Sequence, residues 1–189
     1  LVTFRGVTLK RFEGPFAGGH MGVDSTSVLP LPFPNLPVNP SGPVAGAPDA
    51  FGGDGAVAFF DWVLGLVWTV RGGPNERLGI SIAAATDFNR DGIEEVAVGA
   101  PGAGRGEGLV RFFDTRGVRK GELRYVQGSG FGRFVRSPGD LDRNGAADLV
   151  VAITDLEGAG GPHAGAFVTY PGLGGQTPRP PACSLLLCP

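Results

Sequence analysis

Apolar residues in this chain come in short bursts of five to seven, separated by Gly, Pro, Asn and Asp. GISIAAA (79–85), EEVAVGA (94–100), GLVRFF (108–113) and ELRYV (122–126) are continuous or alternating, a pattern that predicts β-strands. No stretch carries an 11-residue apolar stripe at helical spacing with caps at its ends. The longest apolar run, VAFFDWVLGLVWTV from Val57 to Val70, is interrupted by Asp61 and Gly65. It is too short and too broken to span a bilayer and predicts two strands joined by a turn.

The strand pattern repeats. DFNRDGIEE opens at Asp87 and DLDRNGAAD at Asp140, 53 residues later, and Leu78-Gly79 and Phe131-Gly132 precede them at the same interval. Gly46-Ala47-Pro48 and Gly99-Ala100-Pro101 share that spacing, as do Phe59-Phe60-Asp61 and Phe112-Phe113-Asp114. After the second loop the register slips to 57, with Gly165-Ala166-Phe167 answering Gly108-Leu109-Val110 and four extra residues in LEGAGGPHA. The unit therefore recurs about three times, and four short strands per unit is the arithmetic of a propeller blade. LPLPFPNLPVNPSGP (29–43), with six prolines in 15 residues, interrupts the first unit. Proline removes ladder donors, so this stretch predicts a connecting loop rather than an interior strand, with a polyproline ligand for an SH3-type domain as the alternative.

The two repeated loops carry the candidate chemistry. Calcium takes six to eight hard oxygen ligands, and alternating Asp and Asn side chains converge on one point only where a glycine lets the chain curl. In the first loop the donors would be Asp87, Asn89, Asp91, the carbonyl of Ile93 and Glu95, with Gly92 as the bend. In the second they would be Asp140, Asp142, Asn144, the carbonyl of Ala146 and Asp148, bent at Gly145. An EF-hand needs a bidentate Glu at loop position 12 and flanking helices; that position holds Val98 and Val151, inside predicted strands. A metal-free polar hairpin turn is the alternative, and the matched pair of loops weighs against it. The equivalent stretch of the first unit, PNLPVNPSG from residue 34, has no carboxylate and predicts no calcium site.

Composition narrows the choices. Gly (34) and Pro (17) make up 51 of 189 residues, which alone would suit low complexity. The 42% of apolar residues and 13 Phe require a packed core, and many short strands joined by Gly and Pro turns satisfy both. A net charge of −2 offers no basic surface for nucleic acid or anionic lipid. Cys183 and Cys188 lie at the extreme end, and their spacing does not fix whether they pair. Leu1 in place of an initiating Met leaves a signal peptide undecided.

These motifs resemble the FG-GAP repeats of integrin alpha-subunit propellers and their bacterial relatives. Leu78-Gly79 and Phe131-Gly132 stand for "FG", the DxDxDGxxD-type loops follow, Gly46-Ala47-Pro48 and Gly99-Ala100-Pro101 give "GAP", and GAVAFF, GLVRFF and GAFVTY supply the strand after it. The likeness is close over 45–173 and poor over 1–44. Glu95 replaces the family's last Asp, Asn144 lowers the charge of the second loop, and Ala152-Ile153-Thr154 stands where "GAP" belongs. The resemblance implies an all-β fold, a partial β-propeller of about three four-stranded blades from a seven-bladed ring. It also implies Ca2+ at two sites, in loops joining the first two strands of a blade. Three units cannot close a ring of roughly 350–450 residues, so the chain is expected to be a fragment or half of an assembly. The expected division is a degenerate first repeat (1–44), FG-GAP repeats (45–173) and a Pro/Cys-containing tail (174–189).

Two functional classes compete. One is an extracellular or cell-surface adhesion scaffold that binds a protein or glycan ligand on the face opposite the calcium loops. By the resemblance, that face is built from Pro48–Asp54, Pro101–Glu107, Thr154–Ala164, Gly72–Arg77 and Gln127–Gly130. The other is the propeller portion, catalytic or not, of a secreted hydrolase or lyase. His20 and His163 are the available imidazoles, and neither sits in a nucleophile motif such as G-x-S-x-G. The placed carboxylates are committed to metal loops, and GAGRGEG (102–108) runs into a strand where a phosphate loop would enter a helix. The reading favoured is therefore non-catalytic. Trp62, Trp68 and Tyr170 are expected in the core.

Overall fold

The computed structural model describes residues 3–4, 7–8, 13–28, 42–89, 91–125, 130–154 and 165–172. Residues 29–41 of the proline-rich stretch, His163, the LEGAGGPHA insertion and both cysteines lie outside the described residues, and with them the expectation of no calcium near residue 34. The last two residues of that stretch depart from the expected loop: Gly42 and Pro43 open an interior strand, Gly42–Ala47, where Pro43 pairs with Ser27. Strands β1 (Thr3–Phe4) and β2 (Val7–Thr8) form an antiparallel pair. Three larger antiparallel sheets follow in chain order. The first comprises β3 (Ser25–Val28), β4 (Gly42–Ala47), β5 (Ala56–Asp61) and β6 (Gly65–Arg71). The second comprises β7 (Ile82–Thr86), β8 (Glu95–Ala100), β9 (Leu109–Asp114) and β10 (Arg119–Arg124). The third holds β11 (Val135–Gly139), β12 (Asp148–Ile153) and β13 (Ala166–Tyr170). Each is a meander in sequence order, and the arrangement is consistent with part of a β-propeller.

The repeat seen in sequence is a repeat of pairing register. Ala45 pairs with Ala58, Val98 with Arg111 and Val151 with Val168, three equivalent positions of successive sheets. The middle sheet is covered on both sides. One apolar cluster joins Val44, Val57 and Phe59 to Val96, Val98 and Phe113, and another joins Ala97, Val110 and Phe112 to Leu149, Val151 and Val168. All six residues of β8 are buried as a result, which is why EVAVGA reads as a continuous apolar run without alternation. The predicted strands GISIAAA and ELRYV are displaced. Gly79 adopts φ +93° and the strand begins only at Ile82, while β10 runs earlier, over Arg119–Arg124.

The spacing of the two glycine motifs has a steric cause. A Cβ on Gly46 would lie 1.9 Å from the carbonyl oxygen of Gly79 in the next sheet, and one on Gly99 would lie 1.9 Å from that of Gly132. The "GAP" glycine of one sheet and the "FG" glycine of its successor meet backbone to backbone, and any side chain there would force the sheets apart. The first sheet has its own counterpart, which the 53-residue period hides. Gly22 (φ +93°) donates its N–H to Gly46 O at 2.8 Å, as Gly79 donates to Gly99 O at 3.0 Å. Gly22 precedes Gly46 by 24 residues, not the 20 that separate Gly79 from Gly99, because the chain from Ser25 to its partner Ala45 is four residues longer than that from Ile82 to Val98.

Inner strands β3, β7 and β11 lie side by side. Asp24 ties them together: its carboxylate accepts from Ile82 N at 2.8 Å and from Arg136 Nη1 at 2.9 Å. At the outer edge Trp68 sits between Phe59 and Phe113 (centroids 5.6 and 6.4 Å) and donates Nε1–H to Thr115 O at 3.0 Å. Tyr170 is buried. Trp62 departs from the expectation of a core residue. It is 50% exposed in the turn between β5 and β6, beside the exposed Val63 and Leu64, because a hairpin tip at the rim has no neighbouring sheet to cover it.

Candidate metal loops

Both carboxylate loops join the first two strands of a sheet, β7 to β8 and β11 to β12. In the first, side-chain oxygens fold the backbone onto itself. Asp87 Oδ2 accepts from Gly92 N at 2.9 Å, Asn89 Oδ1 from Asp91 N at 2.8 Å, and Asp91 Oδ1 from Ile93 N at 3.0 Å. Gly92 has φ +85° and open space where a Cβ would stand, so glycine is needed there for conformation and not for room. Phe88 anchors the loop by stacking on Phe112 at 4.8 Å. Glu95, buried at the start of β8, accepts from Phe88 N at 3.0 Å and Asn89 N at 3.3 Å through Oε2.

The second loop has the same path. Asp140 accepts from Asn144 N at 3.0 Å and Gly145 N at 2.8 Å, Asp142 Oδ1 from Asn144 N at 3.0 Å, and Asn144 Oδ1 from Ala146 N at 2.8 Å. Asp148, buried at the start of β12, accepts from Leu141 N at 2.6 Å and from Gly172 N at 3.0 Å. Gly145 has φ +87°.

The two loops gather their acids alike. One carboxylate oxygen each from Asp87, Asp91 and Glu95 lie within 4.8 Å of one another, and the same holds for Asp140, Asp142 and Asp148. The other four sequence candidates fall within the loops. Asn89 and Asn144 spend their carboxamide oxygens on backbone N–H groups, and Ile93 and Ala146 follow the glycine bends. Hard oxygen donors converging at a bend fit a hard divalent ion such as calcium. In the first loop two buried oxygens, Asp87 Oδ1 and Glu95 Oε1, have no hydrogen-bond partner, as expected of atoms that an ion would serve.

Electrostatics separates the loops. Burial, with the nearby charges of Asp91 and Asp87, pushes the Glu95 carboxyl up to about 7 against the hydrogen bonds from Asn89 and Phe88. Burial would also raise Asp91, yet contacts from Lys120, Asn89 and Ile93 hold it below the usual range. For Asp140, burial is likewise outweighed, here by N–H groups of Gly145 and Asn144.

Sequence reasoning missed three participants. Lys120 of β10 places Nζ 2.5 Å from Asp91 Oδ2. Asp114, fully buried at the end of β9, accepts from Arg116 N, Val118 N and the Arg116 guanidinium, so it holds the β9–β10 turn. Gly172 reaches back to the second loop, where its carbonyl accepts from Asn144 Nδ2 at 3.1 Å. The Phe-Phe-Asp repeat was a signal for Asp114, since Asp61 holds the first sheet's turn by accepting from Val63 N and Leu64 N. Lys120 and Gly172 carry no spacing signal. His20 pairs with Asp49 at 2.9 Å on an exposed surface, away from any nucleophile motif.

Comparison with known proteins places this loop-and-strand pattern. Residues 78–113 match the family model described as FG-GAP repeat. The matched stretch spans the Leu78-Gly79 approach, the first carboxylate loop, β8 and nearly all of β9. The chain is 36% identical over 86 residues to integrin alpha-8 of Mus musculus and 39% identical over 83 residues to integrin alpha-IIb of the same organism, each covering 40% of this chain. It is 32% identical over 90 residues, or 43% of this chain, to integrin alpha-3 of Cricetulus griseus. The matched stretch is 8 to 9% of the length of those integrins. Among the described residues no helix is long and apolar enough to cross a membrane.

Proposed function

We propose that this chain is part of a calcium-stabilised FG-GAP β-propeller, an extracellular or cell-surface adhesion scaffold without catalytic function of its own. Two calcium ions, held by Asp87, Asn89, Asp91, Ile93 and Glu95 and by Asp140, Asp142, Asn144, Ala146 and Asp148, would brace neighbouring sheets at one end. The opposite end carries the short helical turns Ala50–Gly53 and Ala103–Gly106 after the "GAP" motifs. On this reading it meets a protein or glycan ligand. The chain then divides into a first repeat (1–44), FG-GAP repeats (45–173) and a tail (174–189), and belongs to a ring of seven blades.

The observation that supports the metal reading is the pair of carboxylate triads, each within 4.8 Å, at equivalent places in consecutive sheets. Millimolar calcium outside cells would keep even weak loops filled. Thermal unfolding with and without calcium tests it. An ion that binds only the folded state adds about 2.7 kcal/mol at one hundred times its Kd, and Asp87→Ala combined with Asp140→Ala removes that gain. An identical melting temperature in calcium and in chelator would sink the reading.

A further inference from the structure

The first loop already holds a cation of its own. Lys120 reaches from β10 to place its ammonium 2.5 Å from Asp91 Oδ2 and 3.9 Å from Asp114 Oδ2, with its side chain 21% exposed. Its stem lies along a small cavity lined by Phe88, Asn89, Glu95, Phe112 and Gly121, so the charged end is directed to the loop while the methylenes cover apolar surface. The ammonium serves one of the three carboxylates. Asp87 Oδ1 and Glu95 Oε1, both buried, stay without partners, and a point charge on a single stem cannot reach all three acids as a divalent ion at their centre would. Among the described residues no lysine or arginine pairs with Asp140, Asp142 or Asp148 in the second loop.

We propose that Lys120 is an internal counter-ion of the first loop which calcium must displace from Asp91, so that this loop binds calcium more weakly than its carboxylates alone would and fills after the second. The inference rests on reading the loops as calcium sites. Asp114 gives the displaced ammonium somewhere to go. It already lies 3.9 Å away, it is fully buried, and one cation, Arg116, contacts it at 2.8 Å. Lys120 therefore has two acidic partners. Asp91 holds it while the loop is empty, and Asp114 receives it when an ion takes Asp91.

The test isolates the first loop with Asp140→Ala in the full chain and measures calcium binding by titration calorimetry, with melting temperature in chelator as the second readout. Adding Lys120→Met is expected to tighten binding at least tenfold and to lower the melting temperature in chelator, because the acids then repel without relief. Lys120→Arg keeps the charge and is expected to hold affinity near the parent's. Lys120→Gln serves as a second neutral variant should the Met variant fold poorly. Equal or weaker calcium affinity in the neutral variants, with the parent still binding, overturns the role of Lys120 and leaves the calcium reading standing. Absence of calcium uptake by the wild-type chain and by every variant overturns both.

Discussion

The two acidic loops share a backbone path and differ in what completes them. In the second loop both oxygens of the buried acid, Asp148, accept from backbone N–H groups, Oδ2 from Leu141 and Oδ1 from Gly172. In the first, the longer Glu95 satisfies one oxygen and leaves the other buried and unpaired beside the unpaired Asp87 Oδ1. The second loop is thus closed largely by its own hydrogen bonds, while the first is closed around missing positive charge that Lys120 supplies in part. One motif therefore yields one loop that is internally satisfied and one that depends on a cation.

The largest expected effect follows from removing the acid that is fully used. Asp148→Ala strands the buried N–H of Gly172 and the part-buried N–H of the exposed Leu141, and leaving a buried donor unsatisfied costs roughly 1–3 kcal/mol. A loss of about 2–4 kcal/mol is expected in denaturant unfolding, and it persists in chelator because the hydrogen bonds and not an ion are lost. A variant that is destabilised in calcium but indistinguishable from wild type in chelator would show that these hydrogen bonds contribute nothing to the empty second loop.

Glu95→Gln is expected to do the opposite in the first loop. The carboxamide keeps an acceptor for Phe88 N and Asn89 N while removing a buried charge whose second oxygen has no partner. Stability in chelator should be unchanged or higher by about 1 kcal/mol, since an uncompensated buried charge is costly. The calcium-induced gain at this loop should shrink. Greater instability in chelator than in the parent would break the contrast between the loops.

The difference between the loops was only partly visible in sequence. Period, strand order and the acids of both loops were legible because each depends on spacing: glycines that must meet 33 residues apart (Gly46 with Gly79, Gly99 with Gly132) and carboxylates that alternate around a bend. The first sheet's Met21-Gly22 was not, because the chain from Ser25 to its partner Ala45 is four residues longer than that from Ile82 to Val98, which breaks the interval without disturbing the pairing. Lys120 was invisible because its contact depends on how β10 passes the loop, 29 residues from Asp91. Trp62 was misplaced because apolar character predicts burial only where a neighbouring sheet exists to provide it.

The smallest expected effect is also the closest test of the contrast, because it makes the second loop resemble the first. Asn144 donates Nδ2–H to Asp142 Oδ2 at 2.9 Å and to Gly172 O at 3.1 Å. Asn144→Asp replaces both donors by an oxygen that faces oxygen, so the loop in chelator should lose roughly 1 kcal/mol, about one net hydrogen bond. The same change adds a fourth negative charge beside Asp140, Asp142 and Asp148, and calcium affinity in such loops rises with ligand charge. Binding about fivefold tighter, together with lower stability in chelator, is the expected pair of results from calorimetry and thermal unfolding. The two must move in opposite directions, since the bond that closes the empty loop is replaced by a charge that only an ion can satisfy. Lower stability with unchanged calcium affinity would mean that Asn144 is structural and that its side chain does not face the ion.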